Sequence, residues 1–284
     1  ASPRCLLCGD NGRRLGIGAE FLKTMPRWAD AATATAAASG FAARSALKLL
    51  SLSGSFPQLL PRGASVLDLG CSPGAFLQVA AEKVGEKGFV LGVDLVEVDV
   101  SKLKKQRSGR SLSAAASSAA AAPVFTRVAD VFDLTPQTLS ALFREALEKE
   151  AGEEDEKRKK AKMKSGFFHF DVVLSDLCHS TLGVRSADAA RSLDLARAAA
   201  RLALGGGEGG DEEDDEFFSP RSSSSSKKGV LAKGGSFLVK ILEGQETPAF
   251  ASSLKPCFES IKWARPPATR SKSTEVYLLG LGRK

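Results

Sequence analysis

Short apolar runs, several of them ending in a charged residue, alternate along this chain with longer stretches of helical periodicity. The apolar runs predict seven strands, at residues 65–68, 88–94, 124–130, 170–176, 236–242, 258–264 and 275–281. The helical stretches predict helices at 75–84, 136–149 and 186–204, and an amphipathic helix around Lys48. This alternation is typical of an α/β protein with a doubly wound, mostly parallel sheet and helices on both faces.

Charged residues stand at or close to the carboxyl ends of the predicted strands. They are Asp68, Asp94, Asp130, Asp176 and Lys240. The carboxyl ends of parallel strands share one edge of the sheet, and ligands of such sheets bind at that edge, where the strand order switches. The pattern therefore predicts a binding site where these five side chains gather.

The turn after the first strand predicts a nucleotide-type cofactor site. Residues 65–76 read SVLDLGCSPGAF, which is an apolar strand, a glycine-rich turn and the start of a helix. Gly70 and Gly74 are expected to let the backbone approach a ligand where a Cβ would collide, and the helix N-terminus offers N–H groups without intrahelical partners. The spacing lacks the second glycine of the dinucleotide-binding motif, which makes a nicotinamide oxidoreductase the weaker alternative.

Length and composition predict one domain. The chain has 284 residues, and 43% of them are hydrophobic. Three segments, 107–122, 152–165 and 205–230, carry too few large apolar residues to offset the entropy of ordering, and we expect them to be insertions. The prediction is therefore a flexible segment, 1–39, followed by one domain, 40–284. The last two insertions separate a helix from the next strand, which predicts their place at the edge opposite the site.

The charge of the chain is compatible with a polyanionic partner. The net charge is +7 although segment 205–230 is strongly acidic, so the rest of the chain is more basic than the total indicates. Such a balance fits RNA, and it fits a solvated basic surface equally well.

The cysteines and the N-terminal composition concern the compartment. The five cysteines follow no framework spacing, which indicates a reducing environment, and the single C-x-x-C of Cys5 and Cys8 predicts free thiols rather than a metal site. No apolar run reaches the roughly 18 residues that span a bilayer, so no membrane contact is expected. The first forty residues are rich in Ala, Thr and Arg, which suggests the remnant of a transit segment for a mitochondrion or other organelle. The cytoplasm and the nucleolus are the alternatives.

Four short motifs stand at separate places in the chain. The first consists of Arg44, Ser45, Ala46 and Lys48; the others are D-L-G-x-x-P-G at 68–74, G-G-x-F-x-V-K at 234–240 and S-x-E-x-Y at 273–277. Together they make the chain resemble the FtsJ family of ribosomal RNA 2′-O-ribose methyltransferases. The matching segments run from about Gly40 to Lys284, apart from the three insertions. The resemblance implies a Rossmann-like methyltransferase fold with S-adenosylmethionine as the methyl donor.

The resemblance also implies a set of site residues. The catalytic residues would be Lys48, Asp176, Lys240 and Glu275. The cofactor-binding residues would be Asp68, Gly70, Ser72, Pro73, Gly74, Phe76, Asp94, Asp130 and Asp176. A turn or helix cap is an equally good interpretation of Asp130. Lys240 is either a general base with a lowered pKa or a cation that stabilises the alkoxide.

The implied substrate is the ribose 2′-hydroxyl of RNA, ribosomal RNA first and transfer RNA or cap RNA as alternatives, with the protein acting as a monomer. The family usually continues after Asp176 with small residues, proline and Asn or Asp, whereas residues 175–180 read SDLCHS here. This departure puts the acceptor specificity in question and motivates a further alternative, a non-catalytic RNA-binding assembly factor. His179 is expected to face solvent.

RNA contacts are expected from the basic stretch 262–272, from Arg44 and from the N-terminal basic residues. Trp28 and Trp263 could stack on bases, but a tryptophan near a strand is more often part of the core, which is the interpretation we favour for both.

Overall fold

The computed structural model of the protein describes residues 31–103, 120–150, 168–205 and 229–284. The predicted insertion 152–165 lies outside these described residues. So do most of the insertions 107–122 and 205–230, and Cys5, Cys8 and Trp28.

A seven-stranded sheet forms the centre of the molecule. Its strands are β1 (Ser65–Leu69), β2 (Phe89–Asp94), β3 (Val124–Val128), β4 (Phe170–Ser175), β5 (Leu231–Leu242), β6 (Phe258–Ala264) and β7 (Glu275–Arg283). The strand order is β3-β2-β1-β4-β5-β7-β6, and β7 runs antiparallel to both of its neighbours while the other paired strands run parallel. The strand order reverses between β1 and β4, which is where a ligand is expected in such a sheet. The predicted mostly parallel α/β fold is confirmed.

Helices cover both faces of the sheet. They are α1 (Ala31–Ala38), α2 (Ser45–Ser55), α3 (Ala75–Val84), α4 (Pro136–Glu150), α5 (Arg185–Leu204) and α6 (Thr247–Leu254). One hydrophobic cluster joins α2 and α3 to the face that carries Tyr277, and the other joins α4, α5 and α6 to the face that carries Leu278. These two adjacent residues of β7 point to opposite faces because side chains alternate along a strand. In the described part of the chain, no helix has the length and apolar character needed to cross a membrane.

Three of the differences from the predictions bear on the site or on the organisation of the chain. β3 ends at Val128, so Asp130 follows the strand instead of closing it. β5 begins at Leu231, five residues before the predicted start, because the chain passes the glycines before Ser236 through an irregular register with β4. Helix α1 lies within the predicted flexible segment 1–39, where its alanines combine high helix propensity with a face small enough to pack closely.

The two ends of the segment 206–228 adjoin one another at the amino edge of the sheet. The N–H of Gly205, which ends α5, donates to the carbonyl of Arg201, and the N–H of Val230 donates to the carbonyl of Leu202, both at 2.9 Å. A Cβ built on Gly229 would lie 2.3 Å from the nitrogen of Gly205. Gly205 and Val230 therefore belong to the fold. An insertion that starts after Gly205 and ends before Val230 leaves the fold at the amino edge of the sheet.

We predict that replacing residues 206–228 with a two-residue linker preserves the fold. Closing the shorter loop costs less entropy on folding. The free energy of unfolding in urea should therefore stay equal or rise by about 1–2 kcal/mol. A matched deletion of 206–230 also removes Val230, which is 2% exposed, and should destabilise the protein by about 1–3 kcal/mol. Equal stability losses in the two deletions would show that the segment itself supports the fold.

Candidate active site

Two buried ion pairs stand at the carboxyl edge of the sheet. The Nζ atom of Lys240, near the end of β5, lies 3.2 Å from Oδ1 of Asp176 and donates to the carbonyl oxygen of Asp176 at 2.7 Å. The Nζ atom of Lys48, on α2, lies 2.6 Å from Oε1 of Glu275, the first residue of β7. The four side chains are between 7% and 16% exposed. The structure thus brings together all four residues that the sequence singled out as candidates for catalysis.

Tyr277 connects the two ion pairs. Its hydroxyl donates to Oδ1 of Asp176 at 2.9 Å, and the Nζ atom of Lys48 lies 5.9 Å from the centroid of its ring. Burial, followed by the nearby carboxylates of Asp176 and Glu275, raises the pKa of Tyr277 well above its ordinary value, so the phenol stays a neutral donor. Sequence reasoning used this tyrosine only as part of a motif. The available signal was its spacing, because residues 275 and 277 share one face of a strand.

The neighbouring elements fix these side chains in place. The N–H of Asp176 donates to the carbonyl of Leu69 at 3.0 Å, which fastens the end of β4 to the end of β1. Lys240 and Tyr277 are direct partners in the antiparallel register of β5 and β7 and therefore share one face. The guanidinium of Arg44 donates to the carbonyl of Ala268, which ties the start of α2 to the loop before β7. Each charged side chain therefore projects from a well-packed segment.

The surroundings keep Lys240 protonated. Burial lowers its pKa, but the negative charges of Asp176, Cys178 and Glu275 and the hydrogen bond to Asp176 raise it, and the net result lies above the ordinary value of a lysine. A lysine with a raised pKa carries its charge throughout the neutral pH range. The geometry therefore favours the second of the two roles considered for this residue, a fixed cation.

A cavity of about 330 Å³ opens beside the Asp176–Lys240 pair, between the ends of β1, β2, β3 and β4. Five of the predicted cofactor-binding residues line it. They are Gly70, Ser72, Asp94, Asp130 and Asp176. Apolar side chains line it as well, and among them Leu95 and Phe132 are exposed to 67% and 51%. The cavity thus offers acidic groups and apolar surface together.

Two aspartates shape the loops around this cavity. The carboxylate of Asp94 accepts from the N–H of Ser72 at 2.9 Å and from that of Val96 at 3.0 Å, so it holds the glycine-rich turn against the end of β2. Oδ1 of Asp130 accepts from the N–H of Phe132 at 3.0 Å and caps a short 3₁₀ helix. The cap interpretation of Asp130 is confirmed, and the residue lines the cavity at the same time.

Asp68 lies buried beneath the glycine-rich turn. It is fully buried, and neither carboxylate oxygen has a hydrogen-bond partner among the described residues. Burial raises the pKa of Asp68 well above its ordinary value, and Asp176 and Asp94 raise it further, which favours the protonated form. A cationic group in the cavity would meet the carboxyl groups of Asp94, Asp130 and Asp176, which line it.

The glycines of the turn make room for the protein itself. At Gly70 (φ +79°) a Cβ would lie 2.8 Å from the backbone nitrogen of Leu177, and at Gly74 (φ +104°) it would lie 2.6 Å from a methyl carbon of Leu103. A Cβ at either position would collide with a neighbouring loop, which is a second reason for glycine here. The expectation that the backbone of the turn approaches a ligand stays a prediction. Phe76 is 2% exposed in the cluster with α2 and α3, and neither it nor the exposed Pro73 is among the described residues that line the cavity.

Basic residues and a tryptophan flank the Lys48–Glu275 pair. Exposed cations on β6 and on the loop that follows it are Lys262, Arg265, Arg270 and Lys272. Trp263 is 46% exposed, so the expectation that it belongs to the core is wrong; β6 is an edge strand and leaves its side chain uncovered. His179 is half-buried and lines the cavity, which corrects its expected place in solvent.

The residues present suit S-adenosylmethionine. Its ammonium and sulfonium groups match the carboxyl groups around the turn, and its adenine ring matches the apolar wall that includes Leu95 and Phe132. The sheet order, the glycine-rich turn after β1, the acid at the end of β2 and the lysine–carboxylate pairs together define a Rossmann-like methyltransferase that uses this cofactor.

Comparison with known proteins identifies the family. The model of the FtsJ-like methyltransferase family matches residues 41–283. Two relatives named ribosomal RNA large subunit methyltransferase E are similar to this chain: that of Desulforapulum autotrophicum is 32% identical over 266 residues, covering 92% of this chain and 98% of the relative, and that of Myxococcus xanthus is 33% identical over 245 residues, covering 86% and 84%. The chain belongs to the FtsJ-like methyltransferase family.

A solved structure agrees with the fold. The crystal structure of a ribosomal RNA methyltransferase from Plasmodium falciparum matches with a TM-score of 0.52 at 18% sequence identity, over 86% of this chain and 98% of that one. At this level of identity the match concerns the fold alone.

We predict that Asp94→Ala weakens the binding of S-adenosylmethionine by about 1–3 kcal/mol, measured by calorimetry. The change removes a carboxylate that lines the cavity and also the acceptor that holds the N–H of Ser72. Asp94→Asn keeps one acceptor oxygen and should lose less. Asp133→Ala changes an exposed acid of the nearby 3₁₀ helix and is the control. Unchanged affinity in the Asp94→Ala variant would remove Asp94 from the cofactor site.

Proposed function

We propose that the protein transfers the methyl group of S-adenosylmethionine to a ribose 2′-hydroxyl of ribosomal RNA. The observation that carries the proposal is the pair of buried lysine–carboxylate contacts joined through Tyr277, directly beside the cofactor cavity. A ribose hydroxyl is a poor nucleophile, and methylating it requires a group that stabilises the oxygen as it loses its proton. The names of the relatives support ribosomal RNA as the substrate.

Lys240 is proposed as the cation that stabilises the attacking oxygen. When bound, S-adenosylmethionine supplies an electrophilic sulfonium methyl group, whose carbon the hydroxyl oxygen would attack in line with S-adenosylhomocysteine as the leaving group. As the oxygen attacks, its proton passes to the carboxylate of Asp176, so negative charge develops on the oxygen where proton loss runs ahead of bond formation. The ammonium of Lys240, held 3.2 Å from that carboxylate, offsets the negative charge that develops on the oxygen.

Lys48, Glu275 and Tyr277 are proposed to orient the acceptor ribose and its anchors. The 2.6 Å contact between Lys48 and Glu275 balances the charge of both groups in a buried place, where an unpaired charge would be costly. The hydroxyl of Tyr277 fixes one oxygen of Asp176 and leaves the other to face the substrate. These groups position the reacting atoms and hold the local charge close to neutral.

The remaining predicted residues are proposed to hold the cofactor. Asp94 faces its ribose hydroxyls, Asp130 its adenine amino group, and the turn from Gly70 to Gly74 its methionine part. Asp68 lies buried beneath the turn and is proposed to support it.

The RNA strand is proposed to approach over β6 and the loop 265–274. The four exposed cations there would contact phosphates without reading sequence, and the exposed ring of Trp263 is available to stack on a base. Arg265 donates to the carbonyls of Arg270 and Ser273, which holds this loop in a defined shape.

Two broader properties complete the proposal. The protein acts as a monomer, because one chain supplies both ion pairs and the whole cavity wall; light scattering at assay concentration measures this.

It works in a mitochondrion or another organelle, an assignment supported by the composition of the first forty residues. A fluorescent protein fused behind residues 1–39 should follow that compartment, and a diffuse signal would contradict the assignment.

We predict that Lys240→Ala abolishes methyl transfer while the affinity for S-adenosylmethionine stays close to native. Lys240→Arg keeps a permanent charge and should retain part of the single-turnover rate, since no deprotonation is needed. Because the pKa of Lys240 is raised, the native rate should show no inflection from this group between about pH 6 and pH 9. Lys83→Ala, at the far end of α3, is the matched control.

Two outcomes would contradict this role. A native rate that rises with pH through a midpoint absent from the Arg variant would make Lys240 the general base. Substantial activity in the Ala variant would remove it from the chemistry.

The substrate class is tested with labelled S-adenosylmethionine and three RNA preparations: large-subunit ribosomal RNA, transfer RNA and capped RNA. Label should enter the ribosomal RNA, and nuclease mapping should locate it on a ribose 2′-oxygen. If label enters only transfer RNA or only capped RNA, that RNA and not ribosomal RNA is the substrate. If the protein binds the cofactor but no RNA is labelled, a non-catalytic role is favoured.

A further inference from the structure

Large exposed apolar side chains gather at one edge of the molecule. In the part of the chain that the structure describes, they are Leu95, Val96, Val128, Phe132, Leu182, Val184 and Trp263. All of them lie at or just beyond the carboxyl ends of strands, which is the edge that carries the active site. Exposed apolar residues concentrated on one edge mark a binding surface.

Leu182 and Val184 stand apart from the cofactor cavity. They are 63% and 55% exposed and are not among the residues that line it. The same loop begins with Leu177, Cys178 and His179, which do line the cavity. The loop therefore runs from the cofactor site outward to the start of α5. That part of α5 adjoins the end of β5, where the N–H of Leu242 donates to Oγ of Ser192 at 2.9 Å and a Cβ on Gly244 would lie 2.8 Å from Cβ of Ala189. We name Leu182 and Val184 the apolar rim.

Hydrogen bonds hold the apolar rim in place although it is exposed. The carboxylate of Asp188, in the first turn of α5, accepts from the N–H of Leu182 at 2.7 Å and from that of Gly183 at 3.1 Å. The guanidinium of Arg191 donates to the carbonyl of Ser180 at 3.3 Å. A loop fixed in this way keeps two apolar side chains in water at a defined position, so their contact with a ligand requires little further ordering.

The strand order decides what reaches this rim. Lys240 on β5 lies between the loop that follows β4, which carries the rim, and the basic loop 265–274 that precedes β7. A nucleotide with its ribose at Lys240 and its phosphate at the basic loop directs its base toward the opposite side. The rim is uncharged, which suits a base better than a phosphate. The exposed cation of Arg185 directly follows the rim in the chain.

On the basis of the proposed function, we propose that the apolar rim binds the base of the acceptor nucleotide and helps to select it. Asp188 acts as a positioning residue for the rim. The rim begins two residues beyond the segment 175–180 that departs from the family pattern, in the same loop.

The test compares the double variant Leu182→Ser/Val184→Ser with Ala141→Ser, which makes an apolar-to-polar change at an exposed position of α4 outside the cavity. We expect the double variant to raise the KM for ribosomal RNA about fivefold to tenfold, as loss of an apolar contact to a base does. The rate at saturating RNA and the affinity for S-adenosylmethionine should change less than about twofold. The Ala141→Ser control should match the native protein in all three measurements.

A second arm identifies the group that the rim contacts. An RNA fragment spanning the mapped methylation site is compared with the same fragment lacking the base of the acceptor nucleotide. The native protein should bind the abasic fragment about fivefold to tenfold more weakly, and the double variant should bind both fragments equally. If the double variant loses the same affinity for both fragments relative to the native protein, contact between the rim and the acceptor base is overturned.

A third arm tests Asp188. Asp188→Ala should raise the KM for RNA as the double variant does, with little change in the maximal rate, and Asp188→Asn should recover part of the loss because one acceptor oxygen remains. A fall in the maximal rate or in cofactor affinity would assign Asp188 a purely structural part in the fold.

Fluorescence anisotropy with labelled RNA separates the two proposals. Native protein that binds RNA but transfers no methyl group contradicts the proposed function alone. If the native protein transfers the methyl group and the rim variants have an unchanged KM for RNA, only the proposed role of the rim is contradicted. Failure of the native protein to bind RNA contradicts both.

Discussion

The active site depends on one carboxylate, that of Asp176. Its Oδ1 atom faces the ammonium of Lys240 and accepts from the hydroxyl of Tyr277, while its backbone N–H is bonded to the end of β1. The cofactor turn begins directly after β1, and its first glycine packs against the residue that follows Asp176. A single residue therefore fixes both the group that meets the acceptor and the wall that meets the donor. Removing one partner of a buried pair leaves a charge that costs about 3–5 kcal/mol, so the arrangement acts as a unit.

Charge is distributed unevenly along the carboxyl edge. The half near β1, β2 and β3 carries Asp94, Asp130 and Asp176, which line the cavity and suit a cofactor with cationic groups. The half near β5 and β7 contains both lysines, each already paired with a carboxylate, and beyond it lie the exposed cations of β6 and the loop after it. S-adenosylmethionine and the RNA thus meet electrostatic potentials of opposite sign on the two sides of Asp176. This separation needs no moving part, because the strand order alone produces it.

Local pattern was sufficient for the strands and for the four charged residues of the ion pairs, because each stands at a strand end or in a motif with fixed spacing. It was insufficient where tertiary packing decides. The glycines of the turn predict a close approach of the backbone to a ligand, and only coordinates show that they also accommodate the chain near Leu177 and Leu103. Composition does not distinguish edge strands from central ones, so it predicts a core position for Trp263, which lies exposed on the edge strand β6. The role of Lys240 stayed open because its pKa depends on a sum of burial and charges that only coordinates provide.

The meeting of Gly205 and Gly229 has a consequence for how such a protein can change over generations. A chain that leaves and re-enters the fold between neighbouring residues encloses an inserted segment without displacing anything. Codons gained or lost at this point of the gene lengthen or shorten the chain at the amino edge, whereas the residues of the site stand at the carboxyl edge. Differences in length among such proteins would then record ancestry more than chemistry.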